Sequence, residues 1–270
     1  MRRIIALIAV LTMVAVPVFA GKDNKITISG STTVLPIAQA CAEIFMDMNP
    51  EVNISVRGGG SSVGIAAIIA GTADIGDASR HINTKELNQA RENGVNPYEN
   101  IVANDGIAVV IHKNNPVHAL TLAQLKDIYT GNIQNWKDLG GPNLPIVVIS
   151  RDVSSGTFEV FNTIVLQNEK VLDGSLMLAS NNAVATTTAE TPGAIGYIGL
   201  GYLNDNLNTV QIEGIMPSKQ TIQSMEYPIS RTLHMYTNGA PKGLVKEFID
   251  FILSVEGQEI VEEQGFISVD

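Results

Sequence analysis

Three short runs of glycine, serine and threonine, each between a strand pattern and a helix pattern, constrain this chain more than any other feature. They occupy residues 30–33, 58–62 and 154–157. A helix start exposes unpaired backbone N–H groups and the positive end of the helix dipole, so each run is a potential anion site. Hydroxyl side chains add donors without adding charge. The three runs together predict a site for one small oxyanion.

Strand and helix patterns alternate along the chain. Residues 107–111 form a continuous β-branched run, which is typical of a strand buried on both faces. Asn83 with Glu86, and Thr121 with Gln124, have the spacing of capping boxes that open helices. The alternation predicts an α/β protein with largely parallel sheets. Ligands of such sheets lie beyond the carboxyl ends of the strands, which is where all three runs fall.

Residues 1–20 have the pattern of a signal peptide. Two arginines precede an apolar run at residues 4–16, and Ala20 ends a plausible cleavage site. The run is short for a bilayer span, and retention as an anchor is the alternative. We expect export to the periplasm or to the outer face of the cytoplasmic membrane.

The chain of 270 residues is long enough for one large domain or two smaller ones. It has no linker-like segment, but a chain that crosses between two lobes and returns leaves no change of composition. We expect a discontinuous first lobe of residues 21–106 plus 208–270. Residues 107–207 are expected to form the second lobe.

Charge and composition exclude several classes of partner. The net charge of −10 argues against nucleic acid, and it means that an anion site must work through local donors. Aromatic residues make up only 5% of the chain, too few for a base-stacking platform. Cys41 is the single cysteine, and the four histidines show no metal-ligand spacing. We therefore expect neither a metal nor a cofactor.

The triple glycine does not match a nucleotide loop. A dinucleotide loop would need glycine at Val63, and a phosphate loop would need lysine at Ile65. A close approach of backbone N–H groups and Ser61 to a ligand is one interpretation, and a plain tight turn is the other.

Charged residues lie next to two of the runs. Arg151 offers a planar fork of donors that matches two oxygens of a tetrahedral anion, although a surface ion pair beside a helix cap is the alternative. A carboxylate near such a site has one specific use, because it accepts the proton of a protonated oxyanion and repels an anion that has none. Asp74, Asp77 and Asp105 are the candidates, and each is also a common type of cap or turn residue.

An ordered series of motifs resembles the phosphate-binding subunit of bacterial and archaeal phosphate ABC transporters, over essentially the whole chain after residue 20. The motifs are Gly30-Ser31-Thr32-Thr33-Val34, Gly60-Ser61-Ser62, Ala73-Asp74-Ile75-Gly76, Asp105-Gly106-Ile107-Ala108-Val109, Asn135-Trp136-Lys137-Asp138-Leu139-Gly140-Gly141, residues 151–157 and Pro192-Gly193-Ala194-Ile195-Gly196-Tyr197. The resemblance implies a type II periplasmic binding protein fold, with two α/β lobes around a ligand cleft. It also implies inorganic phosphate as the ligand and a membrane permease as the partner.

The same resemblance, together with one departure from the family pattern, gives the expected ligand-binding residues. They are Thr32, Thr33, Ser61, Ser79, Arg80, Asp105, Arg151, Ser155, Gly156 and Thr157. Some family members carry an aspartate, the acceptor of the ligand proton, where this chain aligns Ser79. Arg80 is then an additional anion ligand by position, with Asp105 the first candidate for the acceptor and Asp77 the second.

These observations predict a monomeric, non-enzymatic phosphate receptor that serves a permease. A receptor for another tetrahedral oxyanion such as sulfate, or a phosphate sensor without a transport role, would fit the same pocket. A secreted phosphoester hydrolase using Ser155 or Ser61 is the enzymatic alternative, but neither serine has an adjacent base or a metal cluster in the sequence.

Overall fold

The computed structural model describes residues 24–269, in which ten strands form one continuous, curled sheet flanked by helices. The predicted signal peptide lies outside the described residues. The strands are β1 Lys25–Gly30, β2 Asn53–Gly58, β3 Ile75–Ala78, β4 Pro97–His112, β5 Ala119–Leu120, β6 Val147–Arg151, β7 Leu176–Leu178, β8 Ala194–Gly199, β9 Leu207–Ile212 and β10 Ser230–Asn238.

The α-helices are α1 Leu35–Met48, α2 Ser61–Ile69, α3 Thr84–Glu92, α4 Leu122–Thr130, α5 Gly156–Phe161, α6 Asn181–Glu190, α7 Lys219–Gln223, α8 Gly243–Ile252 and α9 Val255–Glu263. Both predicted capping boxes are confirmed, at the starts of α3 and α4. A π-helical turn, Asn162–Leu166, continues α5. Among the described helices, none combines the length and the apolar character that crossing a bilayer requires.

The first lobe is built on the strands β2-β1-β3-β10 and the first part of β4. The β1 strand pairs in parallel with β2 and β3, while β10 runs antiparallel to β3 and β4. Helices α1, α8 and α9 pack on this sheet, and the rings of Phe45 and Phe248 meet edge to face at 5.4 Å. The loop from β1 to α1 and the loop that follows β3 therefore lie side by side, at the carboxyl ends of these two strands.

The second lobe has its own core beneath β8, β6 and β7, which run parallel to one another. Aromatic rings fill it, with Phe161 stacked on Tyr197 at 3.9 Å and Trp136 fully buried. The exit of β6 into α5 faces the first lobe, so the third hydroxyl-rich run lies opposite the other two.

The β4 strand connects the two lobes. Its residues up to Gly106 pair with β10, and from Ile107 onward they pair with β8 and β9 instead. These crossing pairs are antiparallel, so the sheet is mixed rather than largely parallel as the sequence predicted. The parallel prediction holds for β1 with β2 and β3, and for β6 with β7 and β8. It fails for the pairs that β4 and β10 make, which are antiparallel in both lobes.

The pairing of β9 favours a return to the first lobe later than residue 208, the predicted point. The β9 strand pairs with the second half of β4, and its side chains Val210 and Ile212 lie in the second core. Pairing with the first sheet resumes only at Ser230, where β10 begins. We therefore propose a lobe boundary near residue 230, because the strand pairing changes partner there.

Candidate anion-binding site

The three hydroxyl-rich runs meet where the two lobes face each other. Thr32 and Thr33 follow β1, Ser61 opens α2, and Thr157 lies in the first turn of α5 on the other lobe. The hydroxyl oxygens of Thr33 and Thr157 are 3.1 Å apart, and all four side chains are buried. Residues from distant parts of the sequence thus share one small polar space.

A glycine makes the first turn possible. Gly30 has φ of 143°, in the region that side chains rarely adopt, and a Cβ there would overlap the Asp77 carbonyl. The tight approach lets the Ser31 N–H donate to that carbonyl at 2.8 Å. The turn places Thr32 and Thr33 at the cleft.

Arg151 closes the site from the second lobe and is only 1% exposed. Its Nε donates to the Leu178 carbonyl at 3.1 Å, and its Nη2 donates to the Ala179 carbonyl at 3.0 Å and to Thr32 Oγ1 at 3.2 Å. Its Nη1 makes no hydrogen bond with any described residue. Burial lowers the pKa of Arg151 to about 10, so it remains charged at neutral pH and keeps one buried donor for a ligand.

The hydroxyl oxygens of the three threonines accept hydrogen bonds from side chains of the protein itself. Asn181 Nδ2 donates to Thr32 Oγ1 at 3.2 Å and to Thr33 Oγ1 at 2.9 Å. Arg231 Nη1 donates to Thr157 Oγ1 at 3.0 Å. A hydroxyl has two lone pairs and one proton, so a hydroxyl that accepts these bonds still has its proton to donate. The 3.1 Å contact between the Thr33 and Thr157 hydroxyls uses one of these protons, which leaves two of the three for a ligand. The site therefore presents aligned neutral donors.

Arg231 forms a buried ion pair with Asp105 behind the hydroxyls. Its Nε and Nη2 lie 2.9 and 2.7 Å from Asp105 Oδ2, and the Leu200 N–H donates to Oδ1 at 2.9 Å. Burial raises the pKa of Asp105, and the facing guanidinium opposes that shift. Because both carboxylate oxygens are engaged by the protein, the contacts of Asp105 favour pairing with Arg231 over accepting a ligand proton.

Ser61, Ser79 and Gly156 form a close contact between the lobes. Ser61 Oγ accepts from the Ser79 N–H at 2.9 Å, and the two hydroxyl oxygens are 3.3 Å apart. A Cβ on Gly156 would overlap Ser61 Oγ and lie 2.8 Å from Ser79 Oγ. Ser155 caps α5, accepting from the Phe158 N–H at 3.3 Å. The expected residues 61, 79, 155, 156 and 157 are therefore brought together.

Arg80 forms ion pairs beside this cluster, and its Nη2 also donates to Ser62 Oγ at 3.0 Å. Its two terminal nitrogens lie 2.8 and 2.7 Å from the oxygens of Glu86, and its Nε lies 2.5 Å from Glu159 Oε2 on the other lobe. Asp77, the second candidate for proton acceptor, is buried in β3 and its Oδ1 has no hydrogen-bond partner in the described chain. The placement of Arg80 favours an ion-pair bridge between lobes over direct anion contact.

Sequence reasoning missed Arg231 and Asn181. Arg231 carried a signal, because residues 229, 233 and 235 are apolar and share its face of the strand, where a charge needs a buried partner. Asn181, at the start of α6, carried no signal beyond an ordinary helix start.

A family model and several known proteins are similar to this chain in sequence. A family model described as a PBP superfamily domain matches residues 18–256. The phosphate-binding protein PstS of Bacillus subtilis (strain 168) is 37% identical over 249 residues, covering 92% of this chain and 81% of that protein. PstS of Borreliella burgdorferi is 32% identical over 283 residues, covering 100% of this chain and 99% of that protein.

Solved structures are similar over nearly the full described chain. A putative phosphate ABC transporter substrate-binding protein from Clostridium perfringens, solved with bound phosphate, has 39% identity and a TM-score of 0.85, covering 91% of this chain and 100% of that one. An ABC-type phosphate transport receptor from Vibrio cholerae has 32% identity and a TM-score of 0.74, covering 90% and 99%.

Proposed function

This chain belongs to the PBP superfamily and, within it, to the phosphate-binding proteins named PstS, and we propose that it captures inorganic phosphate between its lobes. The type II periplasmic binding protein fold predicted from the sequence is confirmed by the solved relatives. A PstS relative of comparable length supports the assignment along the whole chain.

The observation that carries the proposal is the arrangement of donors around Arg151. Its Nη1 is buried without a hydrogen bond in the described chain, beside threonine hydroxyls that already accept from Asn181 and Arg231. A tetrahedral dianion has enough lone pairs to accept from all of them. In a cleft closed to water these charge-assisted bonds are less screened than in solution.

Transport completes the proposal. We infer that the phosphate-loaded protein acts as a monomer outside the cytoplasm, in the periplasm or at the outer face of the cytoplasmic membrane, and delivers its ligand to an ABC transporter permease. The names of the relatives support this role, since the solved neighbours are described as a transporter substrate-binding protein and a transport receptor. Neutral hydroxyl donors suit such a carrier, because the ligand must be released as well as held.

We also propose that the chain is a receptor and not a hydrolase. In the described chain the hydroxyl of Ser61 contacts Ser79, and that of Ser155 accepts a backbone N–H. Neither hydroxyl has a histidine or carboxylate among these partners, and nucleophilic serine chemistry needs such a base. The relatives named here are likewise binding proteins.

Calorimetry with Arg151→Ala tests the proposal. The unmodified chain is expected to bind phosphate, and removal of one buried charged partner should cost about 2–5 kcal/mol of binding free energy. Each 1.4 kcal/mol is a tenfold change in the dissociation constant, so affinity should fall by about 30-fold or more. Circular dichroism should show an intact fold.

Arg57→Ala is the matched control, because Arg57 is exposed at the end of β2 and outside the site. It should bind phosphate as the unmodified chain does. Equal phosphate affinity in Arg151→Ala would remove Arg151 from the site. An unmodified chain that binds sulfate and not phosphate would replace the proposal with a receptor for another oxyanion.

A further inference from the structure

A second polar cluster lies on the first lobe, where β3, β10 and β4 are neighbours in the sheet. It consists of His81, which follows β3, Glu99 on β4 and His234 on β10. His81 Nδ1 lies 2.9 Å from Glu99 Oε1, and His234 Nδ1 lies 3.1 Å from the same oxygen. These three atoms all lie within 4.8 Å of one another.

Sheet register explains why residues so far apart in sequence converge. On β10, Tyr236 pairs with Glu99 and His234 pairs with Ile101, so Glu99 lies diagonal to His234 on one face of the sheet. His234 also pairs with Ala78 of β3, and His81 follows that strand by three residues. A β-bulge at the Leu233–His234 step sets this register.

His234 is the unusual member of the cluster. It is fully buried, yet its Nδ1 makes no hydrogen bond with any described residue, although Glu99 Oε1 is only 3.1 Å away. Its Nε2 lies 2.9 Å from Thr232 Oγ1 and can donate there. With the ring proton on Nε2, the Nδ1 lone pair is left beside the Glu99 carboxylate oxygen, an arrangement that a cation stabilises.

We propose that His81, Glu99 and His234 bind one divalent transition-metal ion of the zinc type. Two imidazoles and one carboxylate are an established ligand set for zinc, with nitrogen and oxygen atoms about 2.0–2.2 Å from the ion. Ligand atoms around a tetrahedral ion are then about 3.3 Å apart, close to the two nitrogen–oxygen distances here, and the two imidazole nitrogens lie within 4.8 Å of each other. The fourth position is open to water, because a pocket of about 320 Å³ lies against both histidines.

The charges around the cluster permit a cation. Glu99 contributes one negative charge, and the hydroxyl of Tyr236 donates to its Oε1 and orients it. Two arginines line the neighbouring pocket, but Arg80 is paired with Glu86 and Glu159, and Arg231 is paired with Asp105. Their residual repulsion lowers affinity without eliminating the attraction of the carboxylate.

Zinc titration of the untagged chain, in phosphate-free buffer with a competing chromogenic chelator, tests the site. One zinc ion per folded chain is expected, and zinc should raise the melting temperature because it binds the folded state. His81→Ala should weaken zinc binding by about 10-fold or more, and Glu99→Gln should act in the same direction. The His81 side chain is exposed and that of Glu99 is partly exposed, and glutamine keeps the shape of Glu99, so both substitutions should leave the fold intact.

His118→Ala is the matched control, since His118 is exposed and remote in sequence from all three ligands. It should bind zinc like the unmodified chain. Equal zinc affinity in His81→Ala, or no binding by the unmodified chain at millimolar zinc, would overturn the proposal. The phosphate site is tested separately: Arg151→Ala should keep zinc binding while losing phosphate, and His81→Ala should do the reverse.

Discussion

The buried ion pair of Arg231 and Asp105 stabilises both the fold and the site. Asp105 is fully buried, and its partner guanidinium also donates to Thr157. Removing one charge of a buried pair leaves the other without compensation, which typically costs about 3–5 kcal/mol. The pair therefore links β4 and β10, which carry Asp105 and Arg231, to the hydroxyls of the site.

Asp105→Asn keeps the shape of the side chain and leaves Arg231 unpaired. We expect the free energy of unfolding to fall by about 3–5 kcal/mol without ligand. Phosphate should raise the melting temperature of this variant more than that of the unmodified chain, because the dianion supplies the missing negative charge. Asp205→Asn, at an exposed turn, is the control in thermal unfolding. Identical melting curves for Asp105→Asn and the unmodified chain would contradict the prediction.

Local chemistry predicted most of the candidate site, and long-range pairing decided the rest. The hydroxyl runs could be found because strand exits and helix starts are local signals. Arg80 was expected to contact the anion from its position after Ser79. Its side chain forms ion pairs with Glu86 and Glu159, and Glu159 is 79 positions away along the chain. No local pattern shows which carboxylate an arginine will reach.

At the scale of elements, the start of α5 must approach the first lobe closely. Gly156→Ala adds a methyl group that overlaps Ser61 Oγ across the cleft. Gly156 is the first residue of the helix, and its neighbours at this site belong to the other lobe, so each lobe should fold as before. We expect phosphate affinity to fall by at least about tenfold, equivalent to 1.4 kcal/mol, in calorimetry.

Gly59→Ala is the matched control for that variant, because its added methyl group would meet Val63 within the same lobe, at 3.2 Å. It should bind phosphate nearly normally. Small-angle scattering should show that Gly156→Ala does not contract when phosphate is added. Normal affinity and normal contraction in Gly156→Ala would mean that the lobes do not close on this glycine.

The β3 strand carries a buried carboxyl, that of Asp77. Burial raises the pKa of Asp77 well above its usual value, and its Oδ1 has no hydrogen-bond partner in the described chain. The folded state then holds a proton that the unfolded state has released, so stability falls as pH rises from about 4 toward the folded pKa. Asp77→Asn should remove this slope. The stability of the variant relative to that of the unmodified chain should therefore be greater at pH 8 than at pH 5.

Urea unfolding at the two pH values measures that difference, with the exposed Asp47→Asn as control. The control should keep the pH dependence of the unmodified chain. Parallel pH profiles for Asp77→Asn and the unmodified chain would show that the carboxyl is not the source of the slope.

The elements themselves were largely predictable, and their connection between lobes was not. Capping residues at Asn83 and Thr121 fixed two helix starts in advance, because a cap is a local hydrogen bond. The run at residues 107–111 indicated a buried strand, but β4 extends back to Pro97. Its first part alternates less clearly, because Tyr98, Glu99 and Ile101 are exposed. Pairing with β10, more than 120 residues later, determines that segment.

At the scale of the whole molecule, an acidic protein is proposed to capture an anion. The chain has a net charge of −10, so its long-range field repels phosphate, while Arg151 and the hydroxyls attract it only at short range. Ionic strength distinguishes the long-range repulsion from the short-range attraction, because salt screens distant charges more than close ones. The screening length falls from about 30 Å at 0.01 M salt to about 8 Å at 0.15 M, which weakens the distant repulsion first.

We therefore expect the association rate of phosphate to rise, or at least not fall, between these two salt concentrations. A receptor that steers its anion with a positive surface would show the opposite trend, a steep fall. Stopped-flow fluorescence of Trp136, the single tryptophan, or of an attached reporter can follow the rate. Sodium chloride and sodium acetate should give the same trend, because ionic strength and not a competing anion is responsible. A steep fall in both salts would place a positive field at the cleft mouth strong enough to outweigh the net charge.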